Sequence, residues 1–177
     1  LASHIKIEEQ HVVVLDWLNG NRSILSNSHL TGSIFGLTLQ TPYEMIHRAY
    51  IEATAFGTKL IMKQFEDNHI PVHTVYASGG IPQKSKLLVE IYANVLNKKV
   101  VVLDSSNASA LGAAMLGATV GNAYSTLKEA ALSMKQPIAY IQEPEFQKVQ
   151  AYEPLYHKYC ELHDLLGRQY PELSYLI

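Results

Sequence analysis

Two adjacent glycines, Gly79 and Gly80, are the residues of this sequence whose type and position best suit ligand binding. They lie in the stretch ASGGIPQKSK (77–86), between a β-branched run and an apolar-periodic one. Glycine has no β-carbon and tolerates positive φ, so a flat ring can lie against the main chain at such a pair. Open α/β sheets bind ligands at the carboxyl ends of their strands, and this pair follows a predicted strand. A simple tight turn is the alternative, because most glycine pairs are only turns.

The glycine pair does not belong to either of the common phosphate-binding patterns. The sequence has no G-x-x-x-x-G-K-[ST] loop, and the spaced glycines of a dinucleotide fingerprint are missing. A second candidate feature is a run of small residues, which consists of Ala108, Ala110, Gly112, Ala113, Ala114, Gly117 and Ala118. Close helix packing accounts for such a run, and lining the same crevice as the glycines is the other interpretation.

The remaining polar groups are weaker candidates. The eight histidines are scattered, and no paired carboxylates or Cys/His nucleophile stand out, so we predict no metal site and name no catalytic residue. Asp16, Asn21 and Arg22 cluster near a turn and could reach a polar ligand, although turn formation explains Asn and Asp equally well. Arg48 and Glu52 are four residues apart on a predicted helix, which favours a surface ion pair.

Composition predicts a globular protein of the cytoplasm. Of the 177 residues, 47% are apolar and 17% charged, and the net charge of −2 gives no indication of binding to nucleic acid or an anionic membrane. The single Cys160 fits a reducing compartment, and no apolar run reaches membrane-spanning length. The sequence does not start with methionine, and residues 1–10 resemble the tail of a helix. We therefore expect a fragment of a longer protein.

Hydrophobic periodicity predicts the first half of the fold. A strand is expected at 11–15, a turn at 19–21 and an extended loop at 23–40. The capping box TPYE (41–44), with proline at the first helical position, then opens a long amphipathic helix that ends near Asn68.

The second half reads as alternating strands and helices. Strands are predicted at 72–78 and 99–104, with a helix of about three turns between them. Ser105, Ser106 or Asn107 could cap the small-residue helix, TLKE (126–129) forms a second capping box, and a last helix is expected at 154–168. This order predicts right-handed crossovers and parallel pairing, hence an α/β core.

The order of these motifs resembles the C-terminal domain of FGGY-family carbohydrate kinases. The resemblance covers about residues 12–168 and is carried by LDWLNGNRS (15–23), GSIFGLTLQTPYEMIHRAYIEATAFGTKLI (32–61) and the block from ASGGIPQKSK to GAAMLGA (77–118). Three stretches are most similar to the branch that phosphorylates L-ribulose in L-arabinose catabolism: LDWLNGNRS, IEATAFGTK and LYHKYCELHDLLG.

The resemblance implies an α/β fold of the actin-like ATPase (ribonuclease-H-like) class, here a second domain truncated at its N-terminal side. It divides the chain into a lead-in strand and loop (1–40), an α/β core (41–122) and C-terminal helices (123–177). It also implies that ATP binds with Mg²⁺ and that the nucleotide contacts Gly79, Gly80, Ile81, Gln83 and Lys84. Many relatives have an asparagine near Lys84 or Ser85, and its absence here leaves the backbone of the turn as the main contact.

By the same resemblance, the intact enzyme is a cytoplasmic kinase that transfers a phosphoryl group from ATP to a pentulose, L-ribulose. Its N-terminal domain, catalytic aspartate and phosphate loops would precede residue 1, so we expect the chain alone to be inactive. The intact enzyme could form a homodimer. A non-catalytic helical interaction or oligomerisation module derived from such a kinase is the alternative.

Overall fold

The computed structural model describes residues 2–104 and 107–175 of the chain. The strands are β1 (Val13–Leu15), β2 (Ser33–Phe35), β3 (Thr74–Ala77), β4 (Lys99–Leu103) and β5 (Ile138–Gln142). The helices are α1 (Tyr43–Asp67), α2 (Gly80–Lys84), α3 (Lys86–Leu96), α4 (Ala108–Val120), α5 (Leu127–Met134) and α6 (Phe146–Asp164). Turns of 3-10 helix cover Ala2–His4, Ile7–Glu9 and Pro171–Ser174, and a π-helical turn, Leu165–Gln169, continues α6.

A three-stranded sheet in the order β3-β4-β5 carries the glycine pair at one end. The β3–α3–β4 crossover joins parallel strands, which confirms the predicted pairing. The middle of β4 is buried on both faces, as its continuous run of valines predicts. Strand β5, antiparallel to β4, was not predicted. It lies in the segment 123–177, so the prediction of helices alone there is wrong.

A two-stranded hairpin, β1 with β2, forms the second sheet. All three residues of β1 are buried, in agreement with the predicted strand at 11–15. Its partner β2 lies in the segment 23–40, which was predicted to be a loop throughout. Three half-exposed residues give no periodic signal, and we attribute the strand to the hydrogen bonds that the buried backbone of β1 requires.

The main core lies where α1, α3 and α6 meet β1. Phe56 of α1 lies at its centre, with ring centroids 6.2 Å from Tyr152 and 5.5 Å from Tyr159 of α6. Aromatic pairs at these separations add to the stabilisation that burial of their surface provides. The apolar period therefore predicted the helix itself, whereas its most buried face is centred on Ala49, Ala53 and Phe56.

Three predicted helix boundaries are wrong. The capping box predicted at 41–44 does not form at the start of α1. The Thr41 hydroxyl accepts a hydrogen bond from the Thr38 N–H, 2.9 Å away, and the cap residue of the helix is Pro42, whose side chain makes no hydrogen bond to it. Residues 2–9 form two separate 3-10 turns, not the tail of a helix.

Helix α6 starts at Phe146 and includes Pro154, which was predicted to begin it. Gln150 is exposed, so water can hydrate the carbonyl that Pro154 leaves without its helical donor.

The capping box predicted at α5 forms with its second hydrogen bond moved by one residue, from the N–H of Thr126 to that of Ser125. The Thr126 hydroxyl accepts a hydrogen bond from the Glu129 N–H, and the Glu129 carboxylate accepts one from the Ser125 N–H. At α4 the cap position is Asn107, while Ser105 and Ser106 lie outside the described residues.

The ion pair between Arg48 and Glu52 is buried, so its prediction as a surface pair is wrong. Arg48 Nε lies 2.7 Å from Glu52 Oε1, and the side chains are only 6% and 2% exposed. Glu52 also accepts hydrogen bonds from Gln10 Nε2 at 3.0 Å and from the Tyr152 hydroxyl at 3.2 Å. Burial raises the pKa of Glu52, and the Arg48 guanidinium and these donors oppose that rise.

The guanidinium of Arg48 also donates hydrogen bonds to groups other than Glu52. It donates to the Tyr152 hydroxyl at 2.7 Å and to the backbone carbonyls of Ala2 and Ile5 at 3.3 and 3.0 Å. The network therefore joins the lead-in segment, α1 and α6 through hydrogen bonds that leave neither charge without a partner.

We predict that removing one member of this pair destabilises the fold more than removing both. Arg48→Met leaves the Glu52 carboxylate buried without its charge partner, and should lower the free energy of unfolding by about 3–5 kcal/mol. The double variant with Glu52→Leu should recover part of that loss, because no unpaired charge remains. Urea unfolding followed by circular dichroism measures both changes.

The matched control is Lys6→Met, since Lys6 pairs with Glu9 at 3.8 Å with side chains 74% and 58% exposed. This substitution should lower the free energy of unfolding by less than about 1 kcal/mol. A single Arg48 variant that loses no more stability than this control would contradict the prediction.

Candidate functional site

The turn between β3 and α2 places the two glycines in different backbone conformations. Gly79 has φ +96° and ψ 179°, a region that essentially only glycine occupies, and it caps α2. Gly80 is the first residue of the helix and does not have positive φ. A Cβ added at either glycine would meet no atom within 4 Å. The turn therefore presents bare backbone to open space.

Hydrogen bonds with residues of β4 and β5 hold this turn in place. Gln83 Nε2 donates to the Leu103 carbonyl at the end of β4, 3.1 Å away. The Tyr140 hydroxyl of β5 donates to the Pro82 carbonyl at 2.9 Å. Ser85 ends α2 and caps α3, since its hydroxyl accepts a hydrogen bond from the Leu88 N–H. The contact with Tyr140 could not be expected from the sequence analysis, because β5 was not predicted.

The structure brings the predicted site residues together on one short helix but gives them different roles. Ile81 and Lys84 are exposed, and Ile81 keeps 67% of its surface accessible. Gln83 is half-buried and uses its amide N–H to hold the turn against β4. The side of the turn that remains available to a ligand is therefore formed by the glycine backbone, Ile81 and Lys84.

An apolar groove of about 600 Å³ lies next to the turn. Its lining includes Tyr76, Leu103, Leu111, Gly112 and Met115. Leu103 links the two features, because its carbonyl holds Gln83 while the residue lines the groove.

The small-residue helix α4 contributes one wall of this groove. None of its described residues is buried, and a Cβ at Gly112 or Gly117 would meet no atom within 4 Å. Close packing of α4 against another helix at its glycines, the first explanation offered by the sequence, is thus not what the described residues show. The alternative was a crevice shared with the glycines; α4 does line a groove, but neither Gly79 nor Gly80 is among the residues that line it.

Other polar candidates lie away from the turn. Asp16, Asn21 and Arg22 surround a separate cleft beneath α1. Within residues 2–104 and 107–175, no three His, Cys, Asp or Glu side chains are placed to hold a metal ion. None of the described helices is long and apolar enough to cross a membrane.

Comparison with known proteins shows the family to which this chain belongs. Residues 1–120 match the model of the FGGY family of carbohydrate kinases, C-terminal domain. The chain belongs to this family. It is 97% identical over 177 residues to the ribulokinase of Staphylococcus epidermidis, covering 100% of this chain and 33% of that protein. It is 71% identical over 176 residues to ribulokinase 1 of Staphylococcus saprophyticus, and the match covers 99% of this chain and 33% of that protein. The chain thus spans about a third of the length of these FGGY relatives.

Solved structures confirm the expected fold class. The chain superimposes on the xylulose kinase of Lactobacillus acidophilus with a TM-score of 0.82 at 22% identity, covering 98% of this chain and 35% of that one. The glycerol kinase of Plasmodium falciparum, solved with ADP, superimposes with a TM-score of 0.65 at 22% identity. This match covers 88% of this chain and 32% of the glycerol kinase chain. The FGGY domain therefore has the actin-like ATPase fold of these sugar kinases.

The different conformations of the two glycines predict different effects of the same substitution. Gly79→Ala should destabilise the chain by about 1–3 kcal/mol, because an L-residue is strained at this φ and ψ. Gly80→Ala should change stability by less than about 1 kcal/mol, because alanine suits the first turn of a helix. Urea unfolding of the two variants measures the difference directly. Equal losses would show that the positive φ of Gly79 is not required.

Proposed function

We propose that this chain is the nucleotide-binding part of an ATP-dependent kinase that converts L-ribulose into L-ribulose 5-phosphate. The 97% identity to a ribulokinase over the whole chain is the observation that carries the proposal. At that identity, about one residue in thirty differs, so the chemistry of the two proteins should be the same. ATP and sugar phosphates are cytoplasmic metabolites, and we propose that the kinase acts there.

The geometry of the turn supports a role in holding the nucleoside of ATP. Gly79 and Gly80 leave open space where other residues would carry a Cβ, so a flat base or ribose can approach the main chain. The exposed Ile81 offers an apolar contact to a ring, and Lys84 offers positive charge at the edge. Gln83 acts indirectly, because it positions the turn through Leu103.

No three His, Cys, Asp or Glu side chains among the described residues are placed to hold a metal ion, and the sequence has no G-x-x-x-x-G-K-[ST] phosphate loop. We therefore assign the catalytic base, the phosphate loops and the Mg²⁺ ligands to other parts of the whole kinase. MgATP supplies the phosphoryl group, and the contribution of this chain is to orient the nucleoside relative to the sugar. A non-catalytic interaction module remains the alternative, but the identity to ribulokinases does not favour it.

We predict that the chain alone is inactive and that it functions within a whole kinase. ADP release with L-ribulose, D-ribulose or D-xylulose should stay at background for the 177-residue chain. A chimera in which this chain replaces the matching third of the S. epidermidis ribulokinase should phosphorylate L-ribulose with ATP. Turnover by the chain alone would contradict the assignment of catalysis to other parts. An inactive but folded chimera would contradict the proposed function.

In that chimera, Gly80→Val should raise the Michaelis constant for ATP far more than the constant for L-ribulose. The branched side chain occupies the space assigned to the nucleoside, and such overpacking costs about 1–3 kcal/mol. This corresponds to roughly 5- to 150-fold in affinity. Strain is not part of this prediction, because the backbone of Gly80 is helical.

The control for this substitution is Gly117→Val, another glycine in a helix with no neighbour within 4 Å of its Cβ position. Both variants must melt near the parent temperature. If Gly80→Val changes the constant for the sugar and not the one for ATP, the glycines form only a turn.

A further inference from the structure

The loop that follows β1 contains the only Asn-Gly pair of the sequence, Asn19 and Gly20. Asn19 is exposed, and its side chain makes no hydrogen bond within residues 2–104 and 107–175. The Gly20 N–H donates to the Trp17 carbonyl at 3.3 Å, which is longer than an ordinary hydrogen bond of this kind. The peptide bond between Asn19 and Gly20 is therefore accessible and only weakly held.

An asparagine that precedes glycine can lose its side-chain amide without an enzyme. The Gly20 nitrogen gives up its proton and attacks the side-chain carbonyl carbon of Asn19, and ammonia leaves as the five-membered succinimide closes. Water then adds at one of the two ring carbonyl groups and opens the ring to aspartate or isoaspartate. The sum of these steps consumes one water and releases one ammonia, and no atom is oxidised or reduced.

Two properties of Gly20 permit this attack. Glycine has no side chain next to its nitrogen, so nothing hinders the approach to the side-chain carbon of Asn19. The nitrogen must first leave the Trp17 carbonyl, and exposed loops open locally at a low cost in free energy. The fold therefore slows the reaction but does not prevent it.

Other asparagines do not combine an unbonded side chain with a following glycine. Those whose side chains are held in hydrogen bonds are Asn21, Asn27, Asn68 and Asn94. Asn97 and Asn122 make no such bond within the described residues, but lysine and alanine follow them. Asn19 is thus the asparagine that these conditions select.

The loop has no room for a longer main chain at this point. A Cβ at Gly20 would lie 2.7 Å from Ser28 Cα and 2.9 Å from the Asn27 carbonyl oxygen, so the two sides of the loop are in close contact. Directly after Gly20, Asn21 and Asn27 exchange two backbone hydrogen bonds, each 2.9 Å long. Isoaspartate inserts one extra carbon into the main chain just before Gly20, and these two bonds must then lengthen or break.

The same loop packs against the turn that continues α6. The Asn21 Oδ1 accepts a hydrogen bond from the Leu25 N–H at 3.2 Å. The Leu25 side chain fills the space at Gly167, where an added Cβ would overlap its Cδ1. A shift of Asn21 therefore disturbs the contact between the loop and the end of α6.

We propose that Asn19 is a site of spontaneous deamidation, and that the isoaspartate formed there loosens the loop at 16–28 from the end of α6. The modification needs no enzyme and no cofactor. It does not depend on the proposed function, because neither Asn19 nor Gly20 belongs to the turn at 79–84.

The test uses the chimeric ribulokinase that contains this chain, incubated at mildly alkaline pH, where the Gly20 nitrogen loses its proton more readily. After denaturation, trypsin releases residues 7–22 as one peptide, since no lysine or arginine lies between Lys6 and Arg22. Tandem mass spectrometry of this peptide locates the replacement of an amide by a carboxyl group.

We expect the replacement at Asn19, at a rate at least about fivefold higher than at Asn122, where the alanine side chain hinders the attack. Asn21, in the same tryptic peptide, should stay intact. Asn19→Gln should stay unmodified at this position, because its longer side chain would have to close a six-membered ring. A rate at Asn19 no higher than at Asn122 would overturn the proposal.

The second measurement is the rate at which trypsin cuts the native protein after Arg22, an exposed residue of the loop. Anion-exchange chromatography separates the deamidated protein by its added negative charge. We expect this protein to be cut at least about threefold faster than the unmodified one, because its loop opens more often.

Asn19→Asp is the matched control, since it has the same added charge but a main chain of normal length. It should be cut as slowly as the parent. Equal cutting of the deamidated protein and Asn19→Asp would show that the extra carbon does not loosen the loop, and would also overturn the proposal.

Discussion

The buried contact between Arg48 and Glu52 is the constraint on which the rest of this structure depends. Two charges removed from water must be paired and hydrogen-bonded, or the folded state loses several kcal/mol. Their partners come from the lead-in segment through Gln10, Ala2 and Ile5, and from α6 through Tyr152. No rotation or sliding of α1 against α6 keeps these distances, so the network fixes the register of the two helices.

The position of the turn at Gly79 follows from that register. With α1 and α6 fixed, α3 packs on the same core and carries β3 and β4 at its two ends. The turn at Gly79 then lies at the carboxyl end of β3, held by the hydrogen bond from Gln83 to Leu103 of β4 and by the one from Tyr140 of β5 to Pro82. A rigid support under an open backbone surface is what pre-organised nucleotide binding requires.

The sequence predicted the elements whose patterns are strong and local. Helix α1 has a long apolar period and β4 a continuous run of valines, and both were predicted from these patterns. Strands β2 and β5 are short and half-exposed, so their pairing depends on neighbours distant in sequence and not on their own residues. The i,i+4 spacing of Arg48 and Glu52 is the same for a surface pair and a buried pair, and only the tertiary packing distinguishes them. The glycine pair indicated a turn. It did not indicate that Gly79 has positive φ while Gly80 does not, or that Gln83 holds the turn against β4.

The central claim is that the turn from Gly79 to Lys84 lies against the nucleoside of ATP. Photolabelling with 8-azido-ATP tests it most directly in the chimeric ribulokinase that contains this chain. Trypsin should release residues 64–84 as one peptide, since no lysine or arginine lies between Lys63 and Lys84. We predict that this peptide carries the label and that excess ATP prevents its labelling. Labelling that ATP suppresses only on other peptides would contradict the account.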